Sequence, residues 1–172
     1  YHWLLAHPEV TVVEWTPLIT HEERPLWEQI LSSDIGIARL IQRKGENGQL
    51  LTADEHLEYL PLAFIEPPAA HRQMFGVDLL ASAQHKNRLQ AITESGHPTL
   101  MPPQINNASI LSMYTPIYKQ AAVNQQVWNN LKGFIILEID INKIMAYVDP
   151  HLSSSGQTLF LRDEVTGFLL YG

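Results

Sequence analysis

Apolar residues in this chain alternate in short runs, with only a few stretches at helical spacing. Val10 to Trp15 (VTVVEW) is rich in β-branched and aromatic residues and predicts a strand, closed by Pro17. Thr20 followed three positions later by Glu23 has the spacing of a capping box. A helix reaching Ser32 is expected after it, with Leu26, Trp27, Ile30 and Leu31 as its apolar stripe. Pro25 is tolerable there because it lies in the first helical turn. Ile37 to Arg43 predicts a second strand, and Gly45 to Gly48 a turn. Glu58 to Glu66 (EYLPLAFIE) predicts a third strand, in which Pro61 argues for an edge or a bulge. Ala69 to Asp78 is expected to be a loop. Ser82 then caps a helix running to Ser95, with Leu89 and Ile92 on its inner face, and Gly96 and Pro98 end it.

The second half is richer in strands. Thr99 to Ile105, Ser109 to Tyr118 and Leu131 to Ile139 each carry the strand pattern, and the polar stretch Lys119 to Asn130 connects the last two. Asp140 caps a short helix over Ile141 to Val148, and Pro150 to Gly156 is expected to be a loop. Thr158 to Arg162 and Phe168 to Tyr171 predict a hairpin turning over Asp163 to Gly167. Tyr1 to Ala6 reads as the last turn of an incoming helix. Consecutive strands with segregated helices indicate an α+β fold on an antiparallel sheet. The strand at Leu131, followed by a helix and a hairpin, would begin a second small unit that is incomplete at Gly172.

Composition narrows the function classes. With 172 residues, 45% hydrophobic and 17% charged, the chain can bury a sizeable core and lacks the signature of disorder. The formal net charge of −7 and the absence of a basic stripe argue against nucleic acid as a partner. There is no cysteine, which excludes disulfides, thiolate nucleophiles and cysteine-based zinc sites. No apolar run is long enough to span a bilayer. The abrupt apolar start at Tyr1 and the abrupt stop at Gly172 suggest a piece of a longer protein, with membrane segments outside it.

Catalytic and cofactor motifs are missing. HEER at His21 lacks the second histidine of HExxH, and its acidic residues suit a helix N-terminus. No two of the eight histidines stand at i, i+2 or i, i+4. There is no GxSxG, Walker A or GxGxxG motif. No cofactor and no metal are expected.

A set of short motifs in fixed order does carry information. Val10 to Trp15 ends in tryptophan, with Pro17 two residues on, and Glu22, Glu23, Arg24, Trp27 and Glu28 follow. Then come Tyr59-Leu-Pro61-Leu-Ala-Phe64-Ile-Glu66, Gly76-Val-Asp78, Arg88 and Gly96. Leu100 to Pro103, Thr115-Pro-Ile-Tyr118, Gly133 to Asp140 and a final Leu170-Tyr-Gly172 complete the series. In this order they resemble the CHASE domain, the extracellular sensor of plant cytokinin receptors and of many bacterial histidine kinases and diguanylate cyclases. The resemblance runs from about His7 to Gly172. The chain departs from the plant pattern where Pro67-Pro68 follow Glu66 and where Met101 replaces a threonine.

The resemblance implies a long N-terminal helix followed by two PAS-like modules. Here residues 1–6 would end that helix. Residues 7–130 would form a complete membrane-distal ligand-binding module, and 131–172 a truncated membrane-proximal one. It also implies a non-enzymatic, extracytoplasmic (periplasmic) sensor, anchored by flanking transmembrane helices not in this chain and dimeric in the full receptor. The partner would be a small molecule, adenine-like or other. In the plant members adenine is bound by a polar side chain near the end of the Y-x-P strand, at or beside Glu66. Residues that could line an apolar pocket with a few polar groups are Tyr59, Phe64, Glu66, Met101, Met113 and Tyr114. Met113 and Tyr114 alternate, so only one of them can face a given side of the sheet. Asp78 and Arg88 read as capping and structural residues. Two other readings remain: a sensor that acts through a protein partner, and a hydrolase whose site the sequence does not reveal.

Overall fold

A computed structural model describes residues 2–35, 40–68, 72–101, 109–119, 128–153, 160–162 and 169–171. The expected segments within 36–39, 69–71, 102–108, 120–127, 154–159 and 163–168 lie outside the described residues. Among the described residues are four α-helices and a five-stranded sheet, an α+β architecture as the patterning predicts. The helices are α1 (His2–Ala6), α2 (Arg24–Ile35), α3 (Ala83–Ser95) and α4 (Ile141–Ser153). The large sheet has the order β6 (Phe64–Glu66), β1 (Val10–Pro17), β9 (Leu131–Asp140), β8 (Ile110–Tyr118), β7 (Thr99–Met101). Three two-stranded antiparallel pairs accompany it. They are β2 (Ile19–Thr20) with β5 (Glu58–Tyr59), β3 (Gln42–Lys44) with β4 (Leu50–Thr52), and β10 (Leu161–Arg162) with β11 (Leu169–Tyr171).

Several elements depart from the sequence pattern for identifiable reasons. The single strand expected over Glu58–Glu66 is two short strands, β5 and β6, on different partners. Pro61 between them cannot donate to a ladder. Among the described residues the second strand covers Gln42–Lys44 and folds back through the Gly45–Gly48 turn onto β4, with Gly48 at φ 76°. Helix α2 begins at Arg24 and not at the capping box, although Glu23 does accept from the backbone N–H of Thr20 at 2.8 Å. Of its expected apolar stripe only Leu31 is fully buried, while Leu26 and Ile30 are exposed. Helix α4 runs through Pro150 to Ser153, beyond the expected end at Val148. A helical proline removes one hydrogen bond and does not by itself forbid continuation.

The caps read from sequence are present. Ser82 accepts from the His85 N–H, and Gly96 closes α3 at φ 69° with its N–H on the Ile92 carbonyl. Asp140 accepts from the Asn142 N–H at the start of α4.

The chain divides into two compact units, each discontinuous in sequence. Unit 1 comprises 1–12, 100–113 and 137–172, and unit 2 comprises 13–99 and 114–136. In unit 1, α4 packs Ile141 and Met145 on Leu111, with Ile144, Leu161 and Tyr171 around them. Unit 2 holds the larger buried set, including Leu31, Ile41, Tyr59, Leu60, Leu62, Ile65, Leu89 and Phe134.

Candidate functional site

Two polar arrangements in unit 2 stand apart from an ordinary apolar core. The first centres on Tyr59, whose ring is fully buried. Its hydroxyl accepts from Arg24 Nη1 at 3.1 Å and from the His56 backbone N–H at 2.9 Å. Both lone pairs are then used. The one hydroxyl proton faces the Asp54 carbonyl at 3.3 Å and His21 Nδ1 at 3.2 Å. Arg24 also lies over the ring, with Cζ 5.0 Å from its centroid, and donates from Nε to Glu28 Oε1 at 2.8 Å. Glu28 in turn accepts from the Ile41 N–H. The node therefore ties α2, β5 and the 53–56 segment together.

Asp78 extends this framework. Its Oδ1 accepts from the backbone N–H groups of Leu60 at 2.8 Å and Leu80 at 3.0 Å, capping the turn Leu79–Ala81. Backbone bonds from Leu62 to Val77, Gly76 to Leu62 and Leu79 to Leu60 zip the Tyr59–Pro61 segment to the Gly76–Asp78 segment. Burial pushes the Asp78 carboxyl above the usual carboxylate range, against the pull of those two N–H groups and of the His56 and Arg24 charges. Three motifs far apart in sequence, around Arg24, Tyr59 and Asp78, thus meet as one structural clasp. Asp78 is the capping residue its sequence context suggested.

The second arrangement lies on the inner face of the large sheet. Along β1 the buried positions are Val10, Val12, Glu14 and Thr16, with Pro17 at the strand end, and the residues between them are only partly covered. Glu14 pairs with Ile65 across the β1–β6 ladder, so the two share a face. Phe134 and Ile136 of β9 and Tyr114 of β8 are also buried, whereas Ile135 is exposed. The Tyr118 hydroxyl donates to the Thr93 carbonyl, which turns that side of β8 toward α3. His85 of α3 meets the Tyr114 ring edge-on at 5.8 Å, and Tyr114 meets Phe134 at 6.3 Å. Most of this face is apolar, yet Glu14 and Thr16 stand on it at 7% and 0% exposure. Among the described residues, neither Thr16 Oγ1 nor His85 Nε2 has a hydrogen-bond partner, and both atoms are buried. Burial, with a smaller effect from Arg88, lowers the His85 pKa, so the ring is neutral near neutral pH.

The residues singled out from sequence distribute as follows. Tyr114 is on the inner face. Phe64 and Glu66 flank Ile65 and so point to the opposite face, where Phe64 is half exposed. Tyr59 belongs to the clasp, with its hydroxyl filled by the protein's own groups. Met101 is buried and Met113 partly buried, both within unit 1. The alternation of Met113 and Tyr114 is seen directly, with Tyr114 the more buried. Sequence reasoning missed Glu14, Thr16 and His85. The only available signal was that VTVVEWT carries comparable apolar weight on both faces, so the burial of either was open. Among the described residues no group of three His, Asp or Glu side chains could hold a metal ion.

The mostly antiparallel five-stranded sheet with its helices is a PAS-like α+β fold. The CHASE domain family model matches residues 1–167. The chain belongs to the CHASE domain family, whose members are extracellular, non-catalytic sensor domains of signalling receptors. No curated protein matches the chain. Among the described residues no helix is long and apolar enough to cross a membrane.

Proposed function

We propose that this sensor domain binds a small molecule over the inner face of the sheet in unit 2. In the intact receptor the domain would form a two-fold dimer held by flanking transmembrane helices, and a histidine kinase or diguanylate cyclase would follow it. The observation that carries the ligand reading is the Thr16 hydroxyl, fully buried with no partner among the described residues. Leaving a buried hydroxyl unsatisfied costs about 1–3 kcal/mol. Such groups are rare in folded proteins and each calls for an explanation. A ligand group hydrogen-bonded to Thr16 supplies one, and His85 and Tyr114 offer further contacts on the same face. Ligand binding would bias one of two receptor arrangements by its differential affinity for them.

The test is thermal denaturation of the domain against adenine derivatives, amino acids and organic acids. A ligand at about 100 times its Kd adds ~2.7 kcal/mol, several degrees for a chain of this size. A shift lost in Thr16→Val supports the reading. A broad panel without any shift favours a sensor that responds to a protein partner.

A further inference from the structure

We infer that the outward face of α2 is the surface through which two copies of this domain meet about a two-fold axis. The inference rests on the dimer in the reading above and adds the surface that forms it.

Helix α2 carries more apolar residues than the core uses. Leu26, Trp27, Ile30 and Leu31 fall at helical spacing, yet of these only Leu31 is fully buried. Leu26 and Ile30, one turn apart, are 58% and 36% exposed. Two further leucines stand beside the helix. Leu57, 87% exposed, accepts at its carbonyl from the N–H of His21, just ahead of α2. Leu40, 50% exposed, precedes Ile41, whose N–H donates to Glu28 of α2. All of these residues belong to unit 2. Single exposed leucines are normal on a protein surface, whereas a group of them marks a contact site.

The occupant follows from charge. The exposed described side chains of α2 are Pro25, Leu26, Gln29, Ile30 and Ser33, none of them charged. Arg24 and Glu28 are engaged with each other on the clasp side. The Ser33 hydroxyl donates back to the carbonyls of Gln29 and Ile30. The chain has a net charge of −7, so two copies repel wherever their carboxylates meet. This strip is a place where they can approach. A foreign partner drawn by that charge would be basic, and it would find no carboxylate on the strip to pair with. Depletion of charge is the mark of an interface centre. A two-fold contact also needs a self-complementary patch. Leu26 and Ile30 can pack on their own counterparts, and the Gln29 amide, with both donors and an acceptor, can pair with its copy. Glu22 and Glu23 are exposed ahead of the helix. An antiparallel crossing of the two 12-residue helices keeps those carboxylates at opposite ends, roughly 18 Å apart.

The strip is about 18 Å long and ~10 Å wide, small against the ~800 Å² that each partner buries in a stable complex. The isolated domain therefore pairs weakly, and holding two chains in one membrane raises the effective concentration enough to complete the dimer.

The chain has no cysteine, so disulfide trapping reads one position at a time. Gln29→Cys is compared under mild oxidation with Asn47→Cys, exposed in the Gly45–Gly48 turn. A disulfide needs Cβ atoms within about 4.5 Å, so a position facing its own copy traps best. The expected result is several-fold faster covalent dimer formation from Gln29→Cys, with the difference removed by adding Leu26→Glu and Ile30→Glu. Sedimentation of the cysteine-free chain at rising concentration should show reversible association that the same two substitutions abolish. Both positions are exposed, so the Tm of the dilute double variant should match wild type, which separates a lost contact from a lost fold. Equal trapping at Gln29→Cys and Asn47→Cys overturns the α2 surface. Association that survives Leu26→Glu with Ile30→Glu also overturns it, and leaves a dimer through another face standing. Equal trapping with no association at any concentration overturns the surface and this domain's part in the dimer together. The ligand reading is measured separately, by thermal shift, and neither outcome touches it.

Discussion

Tyr59→Phe isolates one hydroxyl and leaves the ring in place. In the native chain that hydroxyl serves Arg24 Nη1, the His56 N–H, and the pair Asp54 carbonyl and His21 Nδ1. Removing it deprives two donors of their acceptor. A neutral hydrogen bond contributes about 0.5–1.5 kcal/mol net, and one to a charged group about 1.5–3 kcal/mol. Arg24 retains Glu28 and the Ala53 carbonyl, so its loss falls at the low end. Its side chain is only 13% exposed, so solvent screens the charge little. The sum is a loss of about 2–4 kcal/mol. The stacking of the guanidinium on the ring survives, and with it the cation–π contribution. Chemical denaturation should show a lower midpoint with an unchanged slope, since the same surface is exposed on unfolding. Thermal melting should fall by roughly 2–4 °C per kcal/mol. A cycle with Arg24→Met should give a coupling of at least about 0.5 kcal/mol, as expected for residues in contact. A Tyr59→Phe variant within about 0.5 kcal/mol of wild type, the range of an inconsequential surface change, would refute the clasp as a source of stability.

Other outcomes follow from single positions. Gly133 has φ +154°, and a Cβ there would collide with the Thr16 carbonyl oxygen and the Pro17 backbone. Gly133→Ala should therefore cost at least about 2 kcal/mol in strain and overpacking, read by denaturant titration; a neutral result would mean that β1 and β9 are not so close. Gly96→Ala places a side chain at φ 69° and should cost about 1–2 kcal/mol. The Asp78 pKa is raised in the folded chain. Its burial cost is therefore fully present above the folded pKa, and stability rises as pH falls through that value toward the unfolded value of about 3.9. Asp78→Asn should flatten this part of the profile in urea titrations across pH, and an unchanged profile would sink the assignment. His85 has the opposite sign of linkage. Its folded pKa is lowered, so stability is lost as pH falls through about 6.5, and His85→Leu should remove that loss.

The sequence determined the element types and the stops between them. Capping residues, glycine at a left-handed helix end and prolines at strand ends act over a few bonds, so Ser82, Gly96, Asp140 and Pro17 were legible without tertiary information. The order of motifs around Trp15, Tyr59, Asp78 and Gly133 likewise sufficed to suggest the family. What the sequence could not supply was partnership. The EYLPLAFIE run splits because β2 and β1 take its two ends, and pairing between distant strands is a long-range choice that no local pattern encodes. The same limit applies to the sites. Tyr59 is expected beside the other candidates because their strands should adjoin, and only the fold shows that Arg24 and the 53–56 backbone meet its hydroxyl. On β1 the strand period of two puts Glu14 and Thr16 on one face and Val13 and Trp15 on the other. Hydrophobicity alone leaves either face open to burial. Tertiary packing buries the Glu14 and Thr16 face, where Glu14 pairs with the buried Ile65.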